Sequence, residues 1–136
     1  MIIQTYNPQH PVILETKDYD HATFYQRELT ERKRFAYPPF FRMIKLTIKH
    51  KRPEVAEETA MLFAKKLKAK LGNRVIGPST PGISRIRGFY IQDIIIKLEK
   101  KKQVIIKVKE LIRSIKSEIS QLEGRKTVRI IANIDP

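Results

Sequence analysis

At 136 residues and 41% hydrophobic content the chain can bury one core, and the absence of cysteine excludes a disulfide framework, a thiolate metal cluster and a Cys nucleophile. Lys and Arg number 28 against 14 Asp and Glu, giving a formal charge of +14. Residues 1–40 balance five basic with five acidic residues, so the whole excess falls in residues 41–136 and points to a polyanion, without choosing DNA over RNA.

In chain order, Ile2, Gln4 and Tyr6 alternate with Ile3 and Thr5 as a short strand would, and Asn7-Pro8 and His10-Pro11 then predict a turn and a connector. Tyr19 to Arg34 reads as a helix capped by Asp18 or Asp20, with Ala22, Tyr25 and Leu29 on one stripe. It stops before Tyr37-Pro38-Pro39-Phe40. Arg42 to His50 alternates Ile44, Leu46 and Ile48 against Met43, Lys45, Thr47 and Lys49, a strand with one buried face.

Pro53 fits the first turn of a helix with Ala56, Ala60, Phe63 and Leu67 at helical spacing, closed by Gly72-Asn73. A short strand at Val75 to Gly77 precedes a Pro/Gly/Ser-rich turn at 78–84. Phe89 to Leu98 is predicted as the longest strand, with Ile94, Ile96 and Leu98 on one face. A last helix, about Lys101 to Leu122, carries the stripe Val104, Val108, Ile112, Ile115 and Ile119 and is stopped by Gly124. Val128, Ile130, Ala132 and Ile134 define the final strand.

From Phe41 the order is therefore strand, helix, strand, strand, helix, strand. Two apolar helix stripes over one face of a mixed or antiparallel sheet predict an α+β sandwich of the split βαβ type. The other sheet face would then mix Lys45, Lys49, Lys97 and Arg129 with Met43, Ile95 and Ile131, suited to nucleic acid or to a neighbouring domain.

Ser84-Arg85-Ile86-Arg87-Gly88-Phe89-Tyr90 is the strongest local motif. Its guanidinium groups can grip phosphate in two-pronged fashion, Gly88 permits close backbone approach, and Phe89 or Tyr90 can stack on an unpaired base. Against this stands a plain hairpin with solvated arginines and rings that finish the core. Lys65, Lys66, Lys68 and Lys70 on one helix, and Lys101, Lys102, Lys107, Lys109, Arg113 and Lys116 on the other, offer either phosphate affinity or solubility.

His10, His21 and His50 lack companion ligands, so no metal or other cofactor is expected. Asp93, which interrupts the Ile-rich strand, is better explained by pairing with Lys45 or Arg129 than as a catalytic acid. There is no GxxxxGK[ST] phosphate loop and no His-Asp-Ser arrangement. No apolar run approaches a membrane span, and the first residues lack the basic start and small-residue cleavage site of an export signal, so a cytoplasmic location is the expectation.

Ile2-Ile3-Gln4-Thr5-Tyr6-Asn7-Pro8-Gln9-His10-Pro11, Glu28-Leu29-Thr30-Glu31-Arg32-Lys33, Tyr37-Pro38-Pro39-Phe40-Phe41-Arg42, the stretch from Ile76-Gly77-Pro78 through Tyr90, and Asn133-Ile134-Asp135-Pro136 occur in a joint order. Together they resemble the C-terminal part of the bacterial primosomal replication-restart helicases (primosomal protein N-prime). The resemblance implies that residues 1–14 are a terminal strand and connector of the second helicase lobe. Residues 15–40 would be a linking helix and Pro-rich turn, and residues 41–136 a domain similar to the ribosomal small-subunit S10 fold.

It further implies a noncatalytic part of an ATP-dependent DNA helicase that restarts stalled forks, with the ATPase lobes outside this chain. The partners implied are branched DNA, the neighbouring helicase lobes and the acidic, Phe-ended tail of single-stranded DNA-binding protein. Arg85, Arg87, Phe89, Tyr90 and Lys97 are the candidate DNA contacts; Lys102, Gln103 and Lys107, at the start of the last helix, are the candidate tail contacts. Where family members commonly have Arg-Gly-Arg/Lys-Tyr, this chain has Arg87-Gly88-Phe89-Tyr90. Competing readings are an RNA-binding or ribosome-associated domain and a structural brace between helicase lobes.

Overall fold

The computed structural model describes residues 2–136. Among these residues four α-helices, α1 (Pro11–Lys17), α2 (His21–Arg34), α3 (Pro53–Leu71) and α4 (Lys102–Gln121), and a short 3-10 helix (Gly72–Arg74) accompany five strands: β1 (Phe41–His50), β2 (Val75–Ser79), β3 (Arg85–Ile86), β4 (Phe89–Glu99) and β5 (Arg129–Ile134). The sheet runs β2-β4-β1-β5, with β3 paired to β4 outside that path. Every neighbouring pair is antiparallel. Consequently β1 and β2 are parallel to each other with β4 between them, and β4 and β5 are parallel with β1 between them. Crossovers α3 and α4 thus make two interlocked split βαβ units, the α+β arrangement expected from the element order.

Alternation along the central strands decides which face the helices cover. Ile44, Leu46 and Ile48 of β1 stand opposite Ile96, Ile94 and Gln92 of β4, and Ile44, Leu46, Ile48, Ile94, Ile96 and Leu98 are almost entirely removed from solvent. Phe63 and Leu67 of α3 and Val108, Ile112, Ile115 and Ile119 of α4 complete this cluster. Ala56, Ala60 and Ala64 recur every four residues on α3, and such small side chains let its backbone approach the sheet closely. Removing each large apolar side chain from water contributes about 2 kcal/mol. Only Gly fits at 77, where φ is 101° and an added Cβ would lie 2.9 Å from the Asp93 carbonyl oxygen, so β2 can run tight against β4 before its register shifts.

The N-terminal forty residues differ from their predicted form in two places. Residues Ile2–Tyr6 form no strand; Ile2 and Tyr6 are fully exposed, and no described strand edge pairs with them. Pro11, read as a break, instead occupies the first turn of α1, where a missing N–H is harmless, and the His10 ring accepts from the Val12 amide at 3.3 Å. Asp20 caps α2 through the Thr23 amide at 3.0 Å, as one of the two predicted caps. A two-pronged Arg27–Glu15 contact at 2.9 and 2.7 Å ties α2 to α1, yet neither helix buries a residue.

Strand β5 forms one edge of the sheet and β2 the other. Its last turn is fixed by Asp135, whose amide donates to the Met43 carbonyl at 2.7 Å while its carboxylate accepts from the Met43 amide at 2.9 Å and pairs with Arg42. On its free side the Ile130 carbonyl accepts from Lys116 Nζ at 3.2 Å. The Met43 amide, with the Arg42 guanidinium as a lesser contributor, holds the Asp135 carboxyl below the ordinary carboxylate range. Because its folded pKa is depressed, this contribution is complete above the unfolded value of about 3.9 and disappears as pH falls through the lower folded value. We expect Asp135→Ala to destabilise the fold by about 1 kcal/mol at pH 7, and thermal unfolding at pH 7 and at acidic pH should show the variant and the parent chain converging in acid.

Candidate nucleic-acid interface

Strands β3 and β4 form a hairpin with Arg85 opposite Tyr90 and Ile86 opposite Phe89, leaving Arg87-Gly88 as a two-residue loop. Both loop residues have positive φ, 50° for Arg87 and 80° for Gly88, the pattern of a type I′ turn whose twist matches that of the strands. Gly88 adopts it freely. Arg87 does so at a cost of about 1 kcal/mol, so an exposed guanidinium is held at the tip where Asn or Gly would be more comfortable. Opposed residues in an antiparallel pair share a face. Arg85 therefore lies with Tyr90, its guanidinium carbon 5.1 Å from the ring centroid, while Phe89 lies on the helix-free face with Arg129 4.8 Å above its ring.

The hairpin thus gathers four of the five candidate DNA contacts: Arg85, Arg87, Phe89 and Tyr90. Neither arginine has a carboxylate partner among the described residues. Both rings are half-covered and already in contact with guanidinium groups. Lys97 stands apart, about 26 Å further along β4. Its ammonium donates to the Phe35 carbonyl at 2.7 Å and lies 4.1 Å from the Tyr37 ring centroid, so it fastens the Pro-rich connector to the sheet.

At the middle of the same face Asp93 is buried, with Lys45 Nζ at 2.9 Å and the Thr47 hydroxyl donating at 2.9 Å. One of its two expected partners is therefore present, and Arg129 is not the other. The arrangement neutralises the centre of the face and leaves the positive charge towards the hairpin. His50 is buried, with its ring nitrogens at 3.0 Å from the Thr127 hydroxyl and 3.1 Å from the Arg52 amide, in a structural role. No grouping of His, Asp and Glu among the described residues could hold a metal ion.

A second basic locus lies at the start of α4. Lys102, Gln103 and Lys107 are all exposed, and Ile106, 47% exposed, sits among them at helical spacing. The first turn has no acidic residue, so Lys102 faces the positive end of the helix dipole unrelieved. Lys101 is instead paired with Glu99 at 2.9 Å. The sequence signal for Ile106 is only that it is an isoleucine outside the stripe Val104, Val108, Ile112. Around the helix, Ile105 and Lys109 join Arg42, Ile44, Leu98 and Ile134 in lining a shallow cleft beside the sheet edge, which sequence periodicity did not reveal.

The double split βαβ fold, with unpaired arginines at one end of its sheet among the described residues, defines a basic α+β domain. The chain belongs to the primosomal protein N C-terminal domain family, which matches residues 33–136. It is 36% identical over 138 residues to the replication restart protein PriA of Bacillus subtilis, covering 100% of this chain and 17% of that protein. The PriA of Thermotoga maritima is 36% identical over 112 residues, covering 82% of this chain and 15% of that protein, and that of Chlamydia muridarum is 27% identical over 139 residues. The chain therefore spans about one-sixth of the length of these relatives. Among its described residues no helix is long and apolar enough to cross a membrane.

The backbone at Arg87 generates an expectation with two opposed signs. Arg87→Asn should raise stability by about 1 kcal/mol, because Asn-Gly is the favoured type I′ pair, while removing a cation from the hairpin tip. Thermal unfolding of the variant should show the higher midpoint, and an unchanged or lower midpoint would contradict the strain assigned to this residue.

Proposed function

We propose that this is a DNA-contact and partner-docking domain of a replication-restart helicase, in which the β3–β4 hairpin meets the phosphates of branched DNA. The observation that carries the reading is the pair Arg85 on β3 and Arg87 in the adjoining two-residue turn, neither with a carboxylate partner among the described residues. Such guanidinium groups suit two-pronged phosphate contact, and the net charge of +14 supplies long-range attraction. The fold is read as S10-like on the strength of its strand order and the family membership. Residues 1–14 are read as part of the preceding helicase lobe and residues 15–40 as its link to the sheet domain. In that setting the Lys97 clamp on Phe35 and Tyr37 acts in interdomain support, with DNA contact at Lys97 secondary. The cytoplasm of a bacterium is the setting this role requires.

A second role has its own observation. Exposed Ile106 between Lys102, Gln103 and Lys107 offers apolar surface beside free cations, the chemistry needed for an acidic tail ending in Phe, such as that of single-stranded DNA-binding protein. On this reading the lysines meet the tail carboxylates and Ile106 meets the ring.

Equilibrium binding of the chain to a labelled three-way fork across a salt series tests the first role. Arg85→Ala and Arg87→Ala together should weaken fork binding about tenfold or more and flatten its salt dependence by close to two phosphate contacts. Tighter binding to structured RNA of equal length would favour the RNA-binding alternative, and no binding in low salt would leave the domain as a brace. A tail peptide should bind with an affinity that Lys107→Glu reduces at least tenfold, leaving fork affinity within about twofold.

A further inference from the structure

The helix-free face of the sheet changes character along its length. In its middle row Asp93, Thr47 and Ile131 lie side by side, and Lys45 is consumed by Asp93. One row nearer the hairpin, Lys49 of β1 has Ile91 on one side and Arg129 of β5 on the other. Like charges directly opposed across two strands repel, yet no carboxylate among the described residues pairs with either cation. Arg129 is exposed and rests on the Phe89 ring instead, 4.8 Å from its centroid. Apolar side chains flank this pair, with Ile131 42% and Ile86 45% exposed.

A duplex offers this surface phosphates, sugars and groove-facing base edges but no base plane, because its bases are stacked on one another. It would leave Ile131, Ile86 and the ring-backed guanidinium in water. A strand with unpaired bases offers both kinds of group at once: an aromatic plane for the guanidinium and a phosphate for the neighbouring ammonium. Ile91 beside Lys49 is covered, whereas Arg129, Ile131 and Ile86 remain exposed at this end of the face and can meet an extended strand.

We propose that Lys49, Arg129 and Phe89 form a nucleotide subsite for single-stranded DNA at the hairpin end of the open sheet face. A base stacks on the Arg129 guanidinium, which Phe89 supports from beneath, and Lys49 holds the adjoining phosphate. The subsite rests on reading the domain as a DNA binder, and is independent of the hairpin arginines.

The test compares a labelled oligothymidylate with an abasic phosphodiester oligomer of equal length, using the full 136-residue chain. The parent chain should prefer the base-bearing strand about tenfold. Arg129→Lys keeps the charge but loses the plane, and should cut the preference to about twofold while leaving abasic affinity unchanged. Phe89→Leu should lower the preference in the same direction. Lys49→Gln should weaken both oligomers equally and reduce the salt slope by about 0.7. Unchanged thermal unfolding of the Arg129 and Lys49 variants separates these effects from misfolding.

Equal affinity of the parent chain for the two oligomers, or a preference that survives Arg129→Lys, would overturn the subsite. Tighter binding to oligouridylate would overturn DNA as its strand. Fork binding insensitive to the Arg85 and Arg87 substitutions would remove the hairpin reading and leave the subsite standing, whereas no binding to any DNA in low salt would remove both.

Discussion

The register between β1 and β4 is the constraint on which the molecule depends. Thr47 stands opposite Asp93, and on the opposite face Leu46 and Ile44 stand opposite Ile94 and Ile96. Slipping either strand by one residue would turn its isoleucines towards water and drive Lys45 or Asp93 into the core. Burial of an unpaired charge there is far less favourable than any alternative packing gain. The Asp93–Lys45–Thr47 contact therefore marks the register on the open face, while the helices mark it on the other.

Everything proposed to touch DNA is positioned from that register. The N-terminal end of the long strand β4 pairs with β1 up to Tyr90 and with β3 at Tyr90 and Phe89, so the turn at Arg87-Gly88 is anchored directly on the sheet. Side chains mounted on regular elements lose little further freedom when a ligand arrives. Strand β5 reaches the same end of the sheet by pairing with β1, which is how Arg129, 42 residues beyond Arg87 by numbering, comes to lie on the Phe89 ring.

Much of this architecture was legible in the residues. Period-two alternation locates β1 and β4, and helical stripes locate α3 and α4, because each of these buries one face; β5 shows the same alternation although its stripe stays largely exposed at the sheet edge. Helix α1 is not legible in the residues because Pro11 reads as a stop, although the same ring is favourable in a first turn. The stretch Ile2–Tyr6 has strand-like alternation but no strand edge among the described residues to satisfy its backbone. The hairpin candidates were adjacent in sequence and so could be grouped by eye. Lys97 joins them by face alone, since sequence does not disclose that its ammonium is engaged by Phe35 and Tyr37. The opposition of Lys49 and Arg129 needed the actual pairing of β1 with β5.

The lysine that meets the Ile130 carbonyl on β5 has a consequence for crowding. Alternate backbone groups of an edge strand point outward, ready to zip onto the same edge of another molecule. Lys116 occupies one of those acceptors with a charged side chain, and an identical edge approaching it would bring a second ammonium to the same place. Two copies meeting edge to edge at β5 would therefore find one acceptor already taken and like charges facing each other, which disfavours joining their sheets at high local concentration.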